Sequence, residues 1–177
     1  MANTIERTTL NVSISEDISI NGVSYGNNIS KSFDDNGKVD QRVMAISSAK
    51  MDTVFMYKDA LPDTAGEGVK GEFTYFRITN TDDTVGITIQ LYVSATQSGF
   101  FHLPAGTSFM LMGNDMDFTC EEGGTITLAD LVAVLAKTDG DDKPVIESYV
   151  EYVAVFKGGK AEDEEDEGGD EEPPEEE

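Results

Sequence analysis

Residues 73–94 read FTYFRITNTDDTVGITIQLYVS, and their patterning decides the fold class. Phe76 and Ile78 lead into Asn80-Thr81-Asp82-Asp83. Beyond that turn Ile87, Ile89, Leu91 and Val93 alternate with Thr88, Gln90, Tyr92 and Ser94. Successive side chains of a strand point to opposite faces, so this alternation marks strands with one apolar and one wet face. Two such runs around a short Asn/Asp segment predict a β-hairpin. Amphipathic helices need apolar residues three and four apart instead.

The same text continues on both sides. Toward the C-terminus, Gly99–Leu103 and Thr107–Met112 flank Pro104-Ala105-Gly106 as a strand–turn–strand unit, and the polar residues 113–124 read as a loop. TLADLVAVLA (127–136) is ambiguous. Leu128, Leu131, Val132 and Leu135 fit helical spacing, and Thr127 with Asp130 fits a capping box, whereas Val132 and Val134 are β-branched. One helical turn near 128–131 followed by a strand is the favoured reading, with a short helix over 128–135 as the alternative. A Val/Tyr-rich strand from Val145 to Phe156 is its expected hairpin partner across Thr138–Asp142. Toward the N-terminus, strands are expected at 71–79, 53–57 and 39–47, with a surface loop at 61–72 and a turn at Asp34-Asp35-Asn36-Gly37. Asn21-Gly22 between Ile18/Ile20 and Val23/Tyr25 is a type I′ hairpin signal. Leu10, Val12 and Ile14 share one parity, which predicts a strand with one buried face. About nine or ten short strands with Gly/Asp/Asn turns indicate an all-β protein, an antiparallel, jelly-roll-like β-sandwich.

Composition sets the organisation and excludes several functions. Residues 161–177 (AEDEEDEGGDEEPPEEE) hold twelve acids and no base, too little apolar surface to pack, and are expected to form a disordered acidic tail behind a 1–160 sandwich domain. Removing those twelve charges from the chain total of −23 leaves −11 on residues 1–160, so the domain is acidic in its own right. Nucleic acid and anionic membranes are therefore disfavoured as partners, since both need a Lys/Arg face. The apolar runs are far shorter than the roughly 20 residues of a spanning helix. MANTIERTTL lacks the basic start and apolar stretch of a secretion signal, so synthesis in a cytoplasm is expected. Cys120 stands alone, so no disulfide forms within the chain; it is read as an inert small apolar residue, with a bridge between copies as the alternative.

Chemistry-bearing residues are few. His102 would need a nucleophile and an orienting group. Cys120 lies in FTCEEGG, where Glu121 and Glu122 oppose thiolate formation. One His and one Cys cannot furnish a zinc site. Calcium needs only oxygen ligands, and Asn80, Asp82 and Asp83, or Asp139, Asp141 and Asp142, could supply them. Such residues also occupy turns to cap backbone groups. Asp34–Gly37 fails as an EF-hand loop, with Ser32 and Val43 at its first and last ligand positions. No phosphate-binding glycine loop occurs. Tyr75, Tyr92, Tyr149 and Tyr152 could stack on sugars or cover the edge of a core. No residue is assigned a catalytic, cofactor-binding or metal role, and no cofactor is expected.

FTYFRITNTDDTVGITIQLYVS, FFHLPAGTSFMLM (100–112) and PVIESYVEYVAVF (144–156) together resemble small β-sandwich virion structural proteins of tailed bacteriophages, over roughly residues 5–157. The resemblance implies a non-enzymatic, multi-copy component of the virion: a capsid decoration, head-fibre or tail-associated protein. Its partners would be copies of itself and other virion proteins, the major capsid protein first among them. A carbohydrate- or receptor-binding sandwich module is the alternative.

Overall fold

The computed structural model describes residues 8–59, 65–113, 117–120, 124–140 and 144–157, without the side chains at 118–120, 124 and 126. The chain is all-β. Its strands are β1 (Thr8–Ser15), β2 (Ser19–Ile20), β3 (Val23–Ser24), β4 (Asn28–Ser47), β5 (Asp52–Lys58), β6 (Glu67–Val69) and β7 (Phe73–Asn80). They continue with β8 (Ile87–Ser94), β9 (Gln97–Leu103), β10 (Ser108–Met112), β11 (Asp117–Cys120), β12 (Gly124–Thr127), β13 (Ala133–Thr138) and β14 (Glu147–Lys157). A single 3-10 turn at Leu128–Asp130 precedes β13, so the stretch 127–136 resolves as a short helical turn and then a strand.

Two five-stranded sheets face each other. The front sheet runs β1-β4-β14-β7-β10 and the back sheet β6-β5-β13-β8-β9. Counting only the eight long body strands from β4 to β14 in chain order, the front sheet is first-eighth-third-sixth and the back sheet second-seventh-fourth-fifth. That order is a jelly roll.

This topology corrects two expected hairpins, β7 with β8 and β13 with β14. β7 and β8 do not pair: β7 lies between β14 and β10 in front, and β8 between β13 and β9 behind. β9 and β10 likewise belong to opposite sheets, as do β13 and β14. The alternation was sound, since Ile78, Ile87, Ile89 and Leu91 are all fully buried. Two strands that each bury one face can meet laterally or face to face, and alternation is the same in both cases. The loop at 61–72 also contains β6, which pairs parallel with β5, and 113–124 contains β11 and the first residue of its partner β12.

The core between the sheets is aromatic. Phe55 of the back sheet touches Tyr57, Phe76, Tyr152 and Phe156, with ring centroids 5.1–6.2 Å apart. Offset and edge-to-face contacts of this kind add to area burial. Gly68 of β6 is required here, because a Cβ at that position would collide with the Phe156 ring. At the open side of the sandwich, Phe101 of β9 meets Phe109 of β10 at 4.9 Å and closes the gap between the sheets.

Candidate functional site

The least explained part of the molecule is the N-terminal segment. β4 is twenty residues long, about 65 Å at 3.3 Å per residue. Its second half, from Asn36 onward, pairs with β14 inside the sandwich; its first half pairs only with β1. The ladder continues past β1 through Glu16 N–H to Asn27 O (2.8 Å), Tyr25 N–H to Ile18 O (2.7 Å), and the β2–β3 pairs Ser19↔Ser24 and Ile20↔Val23. Asn21 and Gly22, with φ of 52° and 80°, close it. Residues 8–36 are thus one long hairpin, an arm that extends the front sheet.

Asp34-Asp35-Asn36-Gly37, expected to be a turn, is the root of this arm. β4 runs straight through it with a bulge, where Asp35 takes φ 61° and the register with β1 shifts between Thr8 and Leu10. Residues that favour turns also favour bulges, because both need positive φ or a side chain that caps the backbone. Asn36, 1 % exposed, has Thr8 on one side and Lys157 on the other, and its amide donates to the carbonyls of Phe33 (2.7 Å) and Thr8 (3.2 Å).

The register sorts the arm into two unlike faces. One carries Asn11↔Ser32, Ser13↔Ser30 and Ser15↔Asn28, linked by hydrogen bonds such as Ser32 Oγ to Asn11 Oδ1 at 2.6 Å. The other carries Leu10↔Phe33, Val12↔Lys31, Ile14↔Ile29, Glu16 with Asn27, Ile18 with Tyr25, and Ile20↔Val23. Sequence patterning predicted that Leu10, Val12 and Ile14 would share a buried face; they are the less exposed face of β1, but only partly buried. Ile20, Val23, Tyr25 and Ile29 are each more than half exposed. Among the described residues from 8 to 35, none is buried.

The chemistry-bearing candidates fall elsewhere. His102 lies on the wet face of β9, and its Nδ1 is 2.9 Å from Asp139 Oδ2, whose other oxygen accepts from Thr88 Oγ1 at 2.8 Å. Asp139 is an orienting carboxylate that the sequence could not reveal, being 37 positions away along the chain. Among the described residues no serine, threonine or cysteine bonds to His102. The Cys120 side chain, Asp141 and Asp142 lie outside the described residues.

Asn80 and Asp82 are committed to backbone. Asn80 Nδ2 donates to the Val85 carbonyl (2.8 Å), and its Oδ1 accepts from Asp82 N–H (3.1 Å). Asp82 Oδ1 accepts from the N–H groups of Thr84 and Val85 and from the Thr84 hydroxyl, which hold its carboxyl down to about 2. Among the described residues, no three His, Cys, Asp or Glu side chains gather as metal ligands. A second polar cluster ties β4 to the residue before β6. Arg42 Nε is 3.0 Å from Asp40 Oδ1, and Gly66 N–H donates to Asp40 Oδ2 at 2.6 Å. Partial burial pushes the Asp40 carboxyl up, but Arg42 and Gly66 outweigh it and hold it below its ordinary value.

The four tyrosines do not converge. Tyr152 is in the core, and Tyr92 faces outward on the back sheet. Tyr75 and Tyr149 share the outer face of the front sheet, opposite Val155 and Ala45 respectively. They are therefore six residues apart along β14, roughly 20 Å.

No family model, curated protein or solved structure matches the chain.

Proposed function

We propose that this chain is a non-enzymatic structural subunit of a bacteriophage particle, a multi-copy capsid decoration or fibre component. It acts by self-association and by attachment to a lattice of other virion proteins, the major capsid protein first among them. The observation that carries the reading is the arm: a hairpin whose apolar face is at most partly buried by the described residues, with Ile18, Ile20, Val23, Tyr25 and Ile29 exposed, projecting from a body with its own buried core. A two-stranded ribbon is at best marginally stable in water, and an apolar face left open on a folded domain marks a contact surface. The segments 73–94, 100–112 and 144–156, which resemble phage structural proteins, support the virion assignment. Jelly rolls build capsid shells and lectins alike, so the fold is compatible with this reading and with a glycan-binding module, and names neither. The separation of the tyrosines weighs against an aromatic sugar platform.

Mass spectrometry of purified particles tests the proposal. The expected result is this chain in many copies per particle, removed or depleted when arm residues are changed. Its absence from particles, with the free chain in the lysate, overturns it.

A further inference from the structure

We propose that the apolar face of the arm packs against the same face of a second copy of this chain. The two arms lie antiparallel about a twofold axis through the Ile14–Ile29 pair. The inference rests on the reading of the chain as a self-associating subunit and names the surface involved.

The bulge at Asp34-Asp35 places Thr8 and Asn36 on the same face as Leu10 and Phe33. Beyond Asn36 that face continues through the half-buried Lys38, Asp40 and Arg42 to Met44, packed against the core, and Ile46, within it and bonded through its carbonyl to Thr138 of the back sheet. The arm is therefore the front sheet carried past the end of its opposing layer. What it lacks is a second β layer about 10 Å away, the spacing of packed sheets. A second arm has the matching width, length and apolar character.

Charge selects a copy of the same chain and an orientation. The apolar face holds two charges, Glu16 and Lys31, and these lie one pair to either side of Ile14–Ile29. An antiparallel twofold through that pair brings each Lys31 level with the partner's Glu16, whereas a parallel arrangement stacks Lys31 on Lys31. A closed two-fold contact needs a self-complementary patch of this kind. The chain carries −23, and two copies repel over most of their surface. Residues 8–33 hold only Glu16, Asp17 and Lys31, a net −1, so this is the region that copies bring together at least electrostatic cost. Six pairs spaced two residues apart make a face about 35 Å long and 10 Å wide, a footprint of roughly 350 Å² per copy. That falls short of standard specific interfaces, so association in solution is weak and is reinforced when many copies share a lattice.

The test uses the full chain in sedimentation velocity across a wide concentration range. The wild type is expected to dimerise, and Ile14→Asp to remain monomeric with an unchanged β-sheet spectrum. Lys31→Glu and Glu16→Lys should each weaken association by about tenfold, and the double exchange should restore most of it. In a Cys120→Ser background, a short bis-maleimide should cross-link Ile14→Cys but not Ser13→Cys, which lies on the polar face. A wild type that stays monomeric without cross-linking overturns the inference, as does a charge exchange that fails to restore association. Presence in particles, with Ile14→Asp and the charge variants associating unchanged, overturns this contact and leaves the subunit reading intact. Dimerisation through this face, with absence from particles, does the reverse.

Discussion

Asn80 is fully buried where β7 leaves the front sheet, and its amide holds the carbonyls of Val85, Leu103 and Pro104. Those carbonyls belong to the segment leading into β8 and to the end of β9 and the turn after it, so one side chain satisfies backbone groups on two of the crossings between the sheets. Asp82 completes the device by capping Thr84 and Val85. Its carboxyl is depressed from 3.8 to about 2, chiefly by those two N–H groups. A depressed folded-state value means that the ionised Asp82 stabilises the fold above about pH 4, and that this contribution is lost as pH falls through about 2. The stability difference between wild type and Asp82→Asn is therefore expected to be constant near neutrality and to shrink between pH 4 and pH 2. Chemical denaturation across that range checks it, and a difference independent of pH would contradict it. The sequence marked these residues as turn formers with backbone-capping side chains. It left open which carbonyls, 23 and 24 positions further on, Asn80 would also reach.

At the scale of elements, the arm and the body obey different rules. In the body each strand has neighbours within its sheet and a second sheet across the core, so its amides open only with much of the fold. In the arm, β1 and the first half of β4 have each other and nothing else among the described residues. Amides of residues 10–33 in the monomer should exchange at least about 100-fold faster than those of Phe76 and Tyr152, and should gain protection as concentration rises. Hydrogen exchange with mass spectrometry resolves the two segments; equal protection in the dilute monomer would show that something already covers the arm. The Asn21-Gly22 turn was legible because both residues need positive φ over a two-residue span, which few other structures demand. The bulge at Asp35 was not, since its residues suit a chain reversal equally well and only the continued pairing of β4 distinguishes the two.

For the whole molecule, deleting residues 161–177 should change stability by less than about 1 kcal/mol, because a segment of acids, glycines and prolines has no apolar surface to pack. Thermal or denaturant unfolding of the truncated chain measures this, and a larger loss would reveal a docking site on the domain. The sequence by itself determined the class of the protein: alternation at period two made it all-β, turn residues divided it into strands, and the acid count set its charge. It also wrote an apolar face on residues 10–25. Only the tertiary structure decided which strands are neighbours, bringing β14 between β4 and β7 and separating β7 from β8. Local patterning records whether a side chain leaves water but not what covers it, and sheet partners in a jelly roll are drawn from strands far apart in the chain. The same distinction explains the arm, whose apolar residues are patterned for burial while no second layer among the described residues covers them.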